Sequence, residues 1–297
     1  MDTAAVCVSA ITPPLEVLEP RPQRLALVVA SPHSGAHYPP EFLAASRLDP
    51  VALRRSEDSF IDDIFGAAPA LGAPLLRATF PRAYVDPNRE PYELDPAMFA
   101  DALPGYANTR SPRVAAGLGT IARVVATGRE IYRDKLRIAD ALDRIHAVYR
   151  PYHGALRRLI AETRESFGCC VLVDAHSMPS VGGPMDADAG RPRVDVILGD
   201  VHGASCAAVV TDTAESILRE LGYAVTRNNP YSGGFTTQNY GRPRRGIHAL
   251  QIEVNRGLYM DEEAIERKED SIARLKRDMQ AVLSALGAID PGLLAAA

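Results

Sequence analysis

The stretch CCVLVDAHS, residues 169–177, decides the fold class. It is an apolar, partly β-branched run that turns polar only at Asp174, which is typical of a core strand. The neighbouring Cys169 and Cys170 would point to opposite faces of such a strand, so the pair does not predict a disulfide. Gly168 marks the end of whatever helix precedes it. The stretch therefore predicts a buried strand that delivers polar groups to one edge of a sheet.

The rest of the chain alternates between similar strands and amphipathic helices. A strand buried on both faces is predicted in LALVVAS (25–31), which Pro32 closes. Further strands are predicted in APLLRATF (73–80), RAYVDPNR (82–89), VDVILGD (194–200), YAVTRN (223–228) and IHALQIEVNRG (247–257). Helices are predicted at 56–72, 132–167, 204–221 and 262–286, the second either continuous or broken near Pro151.

This alternation predicts an α/β fold with three αβα layers and a mixed, largely parallel sheet. Residues 1–22 are rich in proline without periodicity, so we expect an N-terminal arm there and a single catalytic domain over 23–297. A long loop is expected at 87–113. Ligands of such sheets bind at the carboxyl ends of strands, where the chemistry is to be sought.

Composition excludes several classes of function. The 297 residues carry a net charge of −4 with an isoelectric point near 6.0, so neither nucleic acid nor an anionic membrane is an expected partner. No signal peptide or bilayer-spanning run is evident, which predicts a cytoplasmic location. Cys7 and Cys206 are expected to be free thiols, and without a CxxC pair a metal site must use His and carboxylates. The oligomeric state stays open.

Two histidines follow predicted strands. His33 stands in SPHSGAH (31–37), where Gly35 permits a tight turn, and His176 lies two residues after Asp174 on the same strand face. The Asp174 carboxylate could hold the second nitrogen of His176, as in many metal sites. Equally, His33 could be a loop histidine bonded to backbone, and the Asp174–His176 pair could cap the next loop.

Acidic residues at the start of the first predicted helix supply a carboxylate. Glu57, Asp58 and Asp62 are all candidates, and Asp58 and Asp62 would share one helix face. Favourable interaction with the helix dipole is the alternative explanation. Two imidazoles and one carboxylate would leave an open position for water, the ligand count of hydrolytic zinc sites.

Glu253 is the candidate general base. Alternation along 247–257 puts Gln251 and Glu253 on one strand face and the apolar residues on the other. A buried carboxylate there is unfavourable unless it is paired or functional, and an ion pair with Arg256 is the structural alternative.

Arginines and glycines could bind an anion. Arg82, Asn88 and Arg89 could grip a carboxylate, although each could also be an ordinary loop residue. The loop that carries Tyr231, Gly233 and Gly234 has paired glycines that allow a backbone to approach a ligand closely, although such pairs more often mark turns.

Seven motifs in order resemble those of N-formylglutamate amidohydrolases. They are SPHSG, EDSFID, VDPNR, DAHSMPS, LGDVHG, PYSGG and LQIEVNR, and the resemblance covers the chain from about Ser31 to Met260. The resemblance implies a phosphorylase/hydrolase-like fold related to zinc carboxypeptidases and aspartoacylases. It also implies release of formate from N-formyl-L-glutamate in histidine breakdown, so that the expected partner is a small acidic N-acyl amino acid.

The resemblance also implies roles for single residues. Carboxypeptidase-like relatives place two metal ligands in His-x-x-Glu, but Ala36 stands three residues after His33. Asp58 is therefore preferred as the carboxylate ligand, with Glu57 and Asp62 as rivals. The implied site is Zn²⁺ on His33, Asp58 and His176, with Glu253 and Arg82 catalytic and with Asn88, Arg89, Tyr231, Gly233 and Gly234 binding substrate.

Two other functions stay open from the sequence. The same site could act on another N-acyl amino acid or on a short peptide. Alternatively, the chain could be a noncatalytic domain that binds an acidic ligand and has kept the fold.

Overall fold

A seven-stranded sheet forms the centre of the protein, as seen in a computed structural model that describes residues 11–184 and 186–295. Its strands lie in the order β1-β3-β2-β4-β7-β5-β6. They are β1 Leu15–Leu18, β2 Leu27–Ser31, β3 Leu75–Ala78, β4 Cys170–Met178, β5 Val196–Gly199, β6 Val225–Arg227 and β7 Ile247–Asn255. A separate hairpin pairs β8 Met260–Asp261 with β9 Glu266–Arg267.

Helices connect and cover these strands. They are α1 Pro40–Ala45, α2 Pro50–Arg54, α3 Ile61–Ile64, α4 Ala68–Leu71, α5 Pro112–Ala115, α6 Ile138–Arg144, α7 Arg150–Phe167, α8 Ala208–Glu220, α9 Phe235–Tyr240 and α10 Glu269–Gly287. Among the helices that the structure describes, none has the length and apolar character needed to cross a bilayer.

The sheet is mixed but mostly parallel. Strand β2 runs parallel to β3 and β4, β4 to β7, and β5 to β6, whereas β1–β3 and β7–β5 are antiparallel. The register pairs Asp174 with Gln251 and His176 with Glu253 across β4 and β7. Four polar residues therefore lie together at the carboxyl ends of the two central strands.

Each face of the sheet has its own apolar core. Val28, Leu172 and Cys170 pack on the side of α7, whereas Val29, Val173 and Cys169 pack on the side of α8 and α10. The two cysteines thus point to opposite faces, as the sequence predicts. With helices on both faces, the single three-layer α/β domain is confirmed.

The segment before the sheet is not only an arm. Within the expected arm of residues 1–22, Leu15–Leu18 pairs with β3 and extends the sheet at its edge. A four-residue strand is too short to show its period in a proline-rich context, so the sequence gives no clear signal for it. Residues 1–10, including Cys7, lie outside the described residues.

Two predicted elements are wrong. RAYVDPNR (82–89) is a series of turns rather than a strand, because the Tyr84 and Val85 amides bond back to the Pro81 carbonyl. The helix expected from Ser56 begins only at Ile61 and ends at Ile64, with a second short helix at Ala68–Leu71. The Asp58 amide instead donates to the His33 carbonyl at 3.0 Å, which holds this segment against the end of β2.

The other helices follow the prediction with shifted ends. Residues 138–167 are helical throughout, and a π-helical turn at Ile145–Tyr149 comes just before Pro151 instead of a break. Gly168 ends this helix with φ 77°, a conformation that glycine adopts without strain. The last helix starts at Glu269 rather than 262, because the β8–β9 hairpin occupies the preceding residues.

Candidate active site

A cavity of about 280 Å³ opens at the carboxyl ends of β2, β4 and β7. His33, Asp58, His176 and Glu253 all line it, and each is buried. The structure thus brings together four predicted residues that are up to 220 positions apart in the sequence, from 33 to 253. A cavity at strand ends is where ligands of open α/β sheets bind.

The two histidine rings face one another over Asp58. The ring centroids of His33 and His176 are 4.8 Å apart. Asp58 Oδ2 lies 3.2 Å from His33 Nδ1 and 3.0 Å from His176 Nδ1. Among the described residues these three side chains form a group that could hold a metal ion, with ligand atoms within 4.8 Å of one another.

The other nitrogen of each ring is held by a second carboxylate. His33 Nε2 lies 2.8 Å from Asp86 Oδ1, and His176 Nε2 lies 3.1 Å from Asp174 Oδ2. Each ring thus lies between two carboxylates, since Asp58 faces both Nδ1 atoms, and Asn88 Nδ2 is also 3.1 Å from His176 Nε2. A cation held between Asp58 and the Nδ1 atoms would take the place of ring protons there. Histidine ligands of metals are commonly oriented in this way, so the donor set fits a divalent cation.

Electrostatics around the group also favour a cation. Burial would raise the pKa of Asp58, but its hydrogen bonds with His176 and His33 hold it well below the usual range. Burial would lower the pKa of His176, but Asp174 and Asp58 raise it well above the usual value. The raised pKa of His176 reflects the negative potential of the carboxylates around its buried ring, which a positive ion would neutralise, whereas the lowered pKa of Asp58 reflects the two histidines beside it.

The two rival carboxylates are engaged elsewhere. Glu57 accepts hydrogen bonds from Tyr38, Arg54 and Ser59 and does not line the cavity. Asp62 forms an ion pair with Arg77 at 2.8 Å and does not line the cavity. The predicted shared helix face of Asp58 and Asp62 is wrong, because Asp58 lies before the helix begins.

Glu253 lies beside the histidine group with an amide as its partner. Gln251 Nε2 donates to Glu253 Oε1 at 2.8 Å, so the ion pair with Arg256 that the sequence offered as an alternative is not formed. Arg256 donates to Asp58 Oδ1 at 2.9 Å instead. Burial raises the pKa of Glu253 to about 7, which suits a group that exchanges protons near neutral pH.

Asp86 connects the anion-binding arginines to the histidine group. Its Oδ2 accepts from Arg82 at 2.7 Å and lies 3.7 Å from Arg89 Nη2, while its Oδ1 bonds His33. Burial would raise the pKa of Asp86, but the charges of Arg82 and Arg89 hold it well below the usual range. Arg89 also donates to the carbonyls of Leu118 and Asn88, so much of its guanidinium has a structural task.

The glycine loop packs against these residues. A Cβ on Gly234 would lie 2.3 Å from Asn88 Nδ2, and its amide donates to Gln251 Oε1 at 2.7 Å. Gly233 has φ 127° and contacts Val201. The close approach that the paired glycines permit is therefore to protein neighbours, and Gly233 and Gly234 also line the cavity together with Tyr231.

Three contributors were not predicted from the sequence. Asp86 orients His33, Arg256 holds the second oxygen of Asp58, and Gln251 links Glu253 to the glycine loop. All three stand within the motifs of the resemblance, Asp86 in VDPNR and Gln251 and Arg256 in LQIEVNR, so a signal was present. Their partners, however, depend on contacts across the sheet edge.

Known proteins resemble the chain over most of its length. The profile of the N-formylglutamate amidohydrolase family matches residues 25–260. An N-formylglutamate deformylase of Pseudomonas putida is 30% identical over 269 residues, covering 88% of this chain and 93% of the relative. A deformylase of the same name from Pseudomonas aeruginosa is 29% identical and covers 84% and 87%.

Two solved structures are similar to this chain in fold. The crystal structure of N-formylglutamate amidohydrolase from Ralstonia eutropha superposes with a TM-score of 0.83 at 37% identity, covering 91% of this chain and 96% of that one. A protein of Agrobacterium tumefaciens shares the fold, with a TM-score of 0.61 at 20% identity and coverage of 91% and 94%. The chain belongs to the N-formylglutamate amidohydrolase family, whose members are hydrolases that act on an amide bond.

Proposed function

We propose that this protein hydrolyses N-formyl-L-glutamate to L-glutamate and formate with the help of a divalent cation, Zn²⁺. One observation carries the metal part of the proposal: both Nδ1 atoms and Asp58 Oδ2 converge while Asp86 and Asp174 hold the opposite ring nitrogens. The relatives named for this activity supply the substrate. The place of the reaction in histidine breakdown and the cytoplasmic location stay predictions.

His33, Asp58 and His176 would hold the cation. Nitrogen and carboxylate donors in this number suit zinc and leave room for a further ligand. When bound, such an ion acts as a Lewis acid that lowers the pKa of a water molecule and polarises a carbonyl group.

Glu253 would move the protons. Its carboxylate accepts a proton from the water whose oxygen attacks the formyl carbon. As the carbon–nitrogen bond breaks, the same carboxyl returns that proton to the departing nitrogen, so that formate and free L-glutamate leave. The pKa of about 7, which burial produces, allows Glu253 to accept and return a proton at neutral pH.

Arg82 would stabilise charge in the transition state. It lines the cavity and is held by Asp86 at 2.7 Å, so its guanidinium is fixed before substrate arrives. A preorganised donor that faces a developing oxyanion lowers the barrier. Arg89 and Asn88 would bind a substrate carboxylate, with Tyr231 and the backbone of Gly233 and Gly234 closing the cavity above it.

The size of the cavity supports a small substrate. At about 280 Å³ it stands at the lower end of ligand pockets, which range over ~300–1,000 Å³. A single N-acyl amino acid therefore fits the space better than a peptide.

A formate-release assay tests the proposal. Purified protein is incubated with N-formyl-L-glutamate before and after treatment with a chelator, and then with added Zn²⁺. We expect release that the chelator abolishes and zinc restores, and weaker turnover of N-acetyl-L-glutamate and of a glutamyl peptide at equal concentration. Absence of release with zinc present would reject the activity, and release that resists complete metal removal would reject the metal.

A further inference from the structure

Arg113 stands out among the charged residues around the cavity because its side chain has no partner within the described part of the chain. It lies on α5, is exposed, and lines the same cavity as Arg82 and Arg89. Those two arginines share Asp86. Arg113 forms neither a hydrogen bond nor an ion pair through its guanidinium with any residue in 11–184 or 186–295.

The segment that carries Arg113 is nevertheless held in place. Ser111 Oγ accepts from the Val114 amide at 3.1 Å, and the Arg113 carbonyl accepts from the Leu118 amide at 2.8 Å. The Leu118 carbonyl in turn accepts from Arg89 Nε at 2.9 Å. Arg89 thus holds the segment from which Arg113 faces the cavity. The unpaired guanidinium of Arg113 is therefore attached to a backbone that is fixed by hydrogen bonds.

Two guanidinium groups close together repel each other unless an anion lies between them. Burial lowers the pKa of Arg89 to about 10, and the positive charge of Arg113 acts in the same direction. No carboxylate of the described protein pairs with Arg113. An unneutralised arginine at the mouth of a cavity is therefore available to an anionic ligand.

We propose that Arg113 determines specificity by binding the side-chain carboxylate of the substrate, a subsite distinct from that of Arg89. The proposal rests on the proposed function, in which the substrate carries two carboxylates. Arg89 is buried next to Asp86, which holds His33, so it serves the carboxylate nearer the scissile bond. Arg113, at the exposed mouth, reaches the carboxylate at the far end of the side chain.

The test compares an acidic substrate with its neutral counterpart. Arg113→Met keeps most of the length of the side chain and removes its charge, and kcat and KM are measured for N-formyl-L-glutamate and N-formyl-L-glutamine. Loss of a charge-assisted contact should lower kcat/KM for the acidic substrate about 10–100-fold, through KM, with kcat unchanged. For the neutral substrate kcat/KM should change less than about 3-fold, since the missing charge had no partner there.

Arg110→Met is the matched control. Arg110 is exposed on the same loop but does not line the cavity, so its loss should leave both substrates unaffected. An equal fall on both substrates, a fall through kcat alone, or the same effect from Arg110→Met would overturn the proposal. Arg113→Lys should recover part of the acidic preference.

Failure of the proposed function would look different, because the wild-type protein would release formate from neither substrate. In that case, calorimetric measurement of the affinities for L-glutamate and L-glutamine tests whether Arg113 binds a side-chain carboxylate. Wild type should bind L-glutamate more tightly, and Arg113→Met should bind both alike. Equal binding of the two amino acids by the wild type would overturn the subsite itself.

Discussion

The cavity has a floor and a rim that are built differently. The floor consists of His33, Asp58, His176 and Glu253, each at most 7% exposed and mounted on or directly beside the central strands. The rim consists of Arg113 on the four-residue helix α5 and Tyr231 on a loop, both outside the sheet. Side chains on paired strands are held in position within fractions of an ångström, whereas segments outside the sheet tolerate changes of sequence and conformation. We infer that the floor performs the chemistry and that the rim selects the substrate.

The largest effect should come from the base on the floor. Glu253→Ala should lower kcat about 10²–10⁴-fold, because no carboxylate remains to take the proton from water. Steady-state formate release measures this, and metal content by atomic emission should stay that of the wild type. Glu253→Gln keeps the shape and the contact with Gln251 and should be equally inactive. Unchanged turnover in either variant would remove Glu253 from the mechanism.

The support beneath the floor should respond to pH. His153 donates from Nε2 to the Pro87 carbonyl and accepts the Tyr240 hydroxyl at Nδ1, both at 2.8 Å. Burial lowers its pKa from 6.5 to about 4, so the folded protein keeps it neutral. As pH falls below 6.5 the unfolded state binds the proton first, and the free energy of unfolding decreases until pH reaches about 4.

Chemical denaturation across this pH range measures the loss, which should reach about 3 kcal/mol for His153 alone. Glutamine cannot take up this proton. The slope of the free energy of unfolding against pH should therefore be smaller in His153→Gln than in the wild type, by an amount that corresponds to at most one bound proton. His146→Gln, at an exposed position of the same helical segment, is the control. Identical slopes for wild type and His153→Gln would contradict the assignment.

A smaller effect is expected when the imidazole of His176 is held less firmly. Asp174→Asn weakens the contact that orients His176, so affinity for Zn²⁺ should fall about 10–100-fold. Competition with a chromophoric chelator measures this without reference to turnover. Thr237→Val removes the other neighbour of Asp174 Oδ2, at 3.5 Å, and should change affinity much less. Equal affinities of Asp174→Asn and wild type would show that Asp174 does not orient a ligand.

The floor is easier to predict from the sequence than the rim, for a physical reason. Strand period fixes which side chains share a face, so the amino-acid pattern alone assigns His176 and Glu253 to strand ends. Asp58 is predicted on the wrong element, since a helix from Ser56 is expected and a loop is present. Asp58 is nevertheless one of the three side chains that converge. The prediction names it because the order of the motifs, rather than local geometry, points to it.

Irregular backbone hides the remaining parts. Asp86 lies in a segment whose composition resembles a strand, and only the turn at 81–86 aims its carboxylate at His33. Arg256 follows the end of β7, where a 3₁₀ turn takes it out of the strand alternation and toward Asp58. Arg113 stands at the end of the long loop expected at 87–113, where no period indicates direction. Contacts between distant loops carry no local sequence signal.

The smallest effect should come from the rim tyrosine. The ring of Tyr231 lies 5.1 Å from the Arg193 guanidinium, so Tyr231→Phe keeps this contact and removes only a hydroxyl without a partner among the described residues. KM for N-formyl-L-glutamate should rise about 2–10-fold with kcat unchanged. Tyr106→Phe, remote from the cavity, should change neither constant. A fall in kcat for Tyr231→Phe would show that the rim takes part in catalysis, which would contradict the division of tasks between floor and rim.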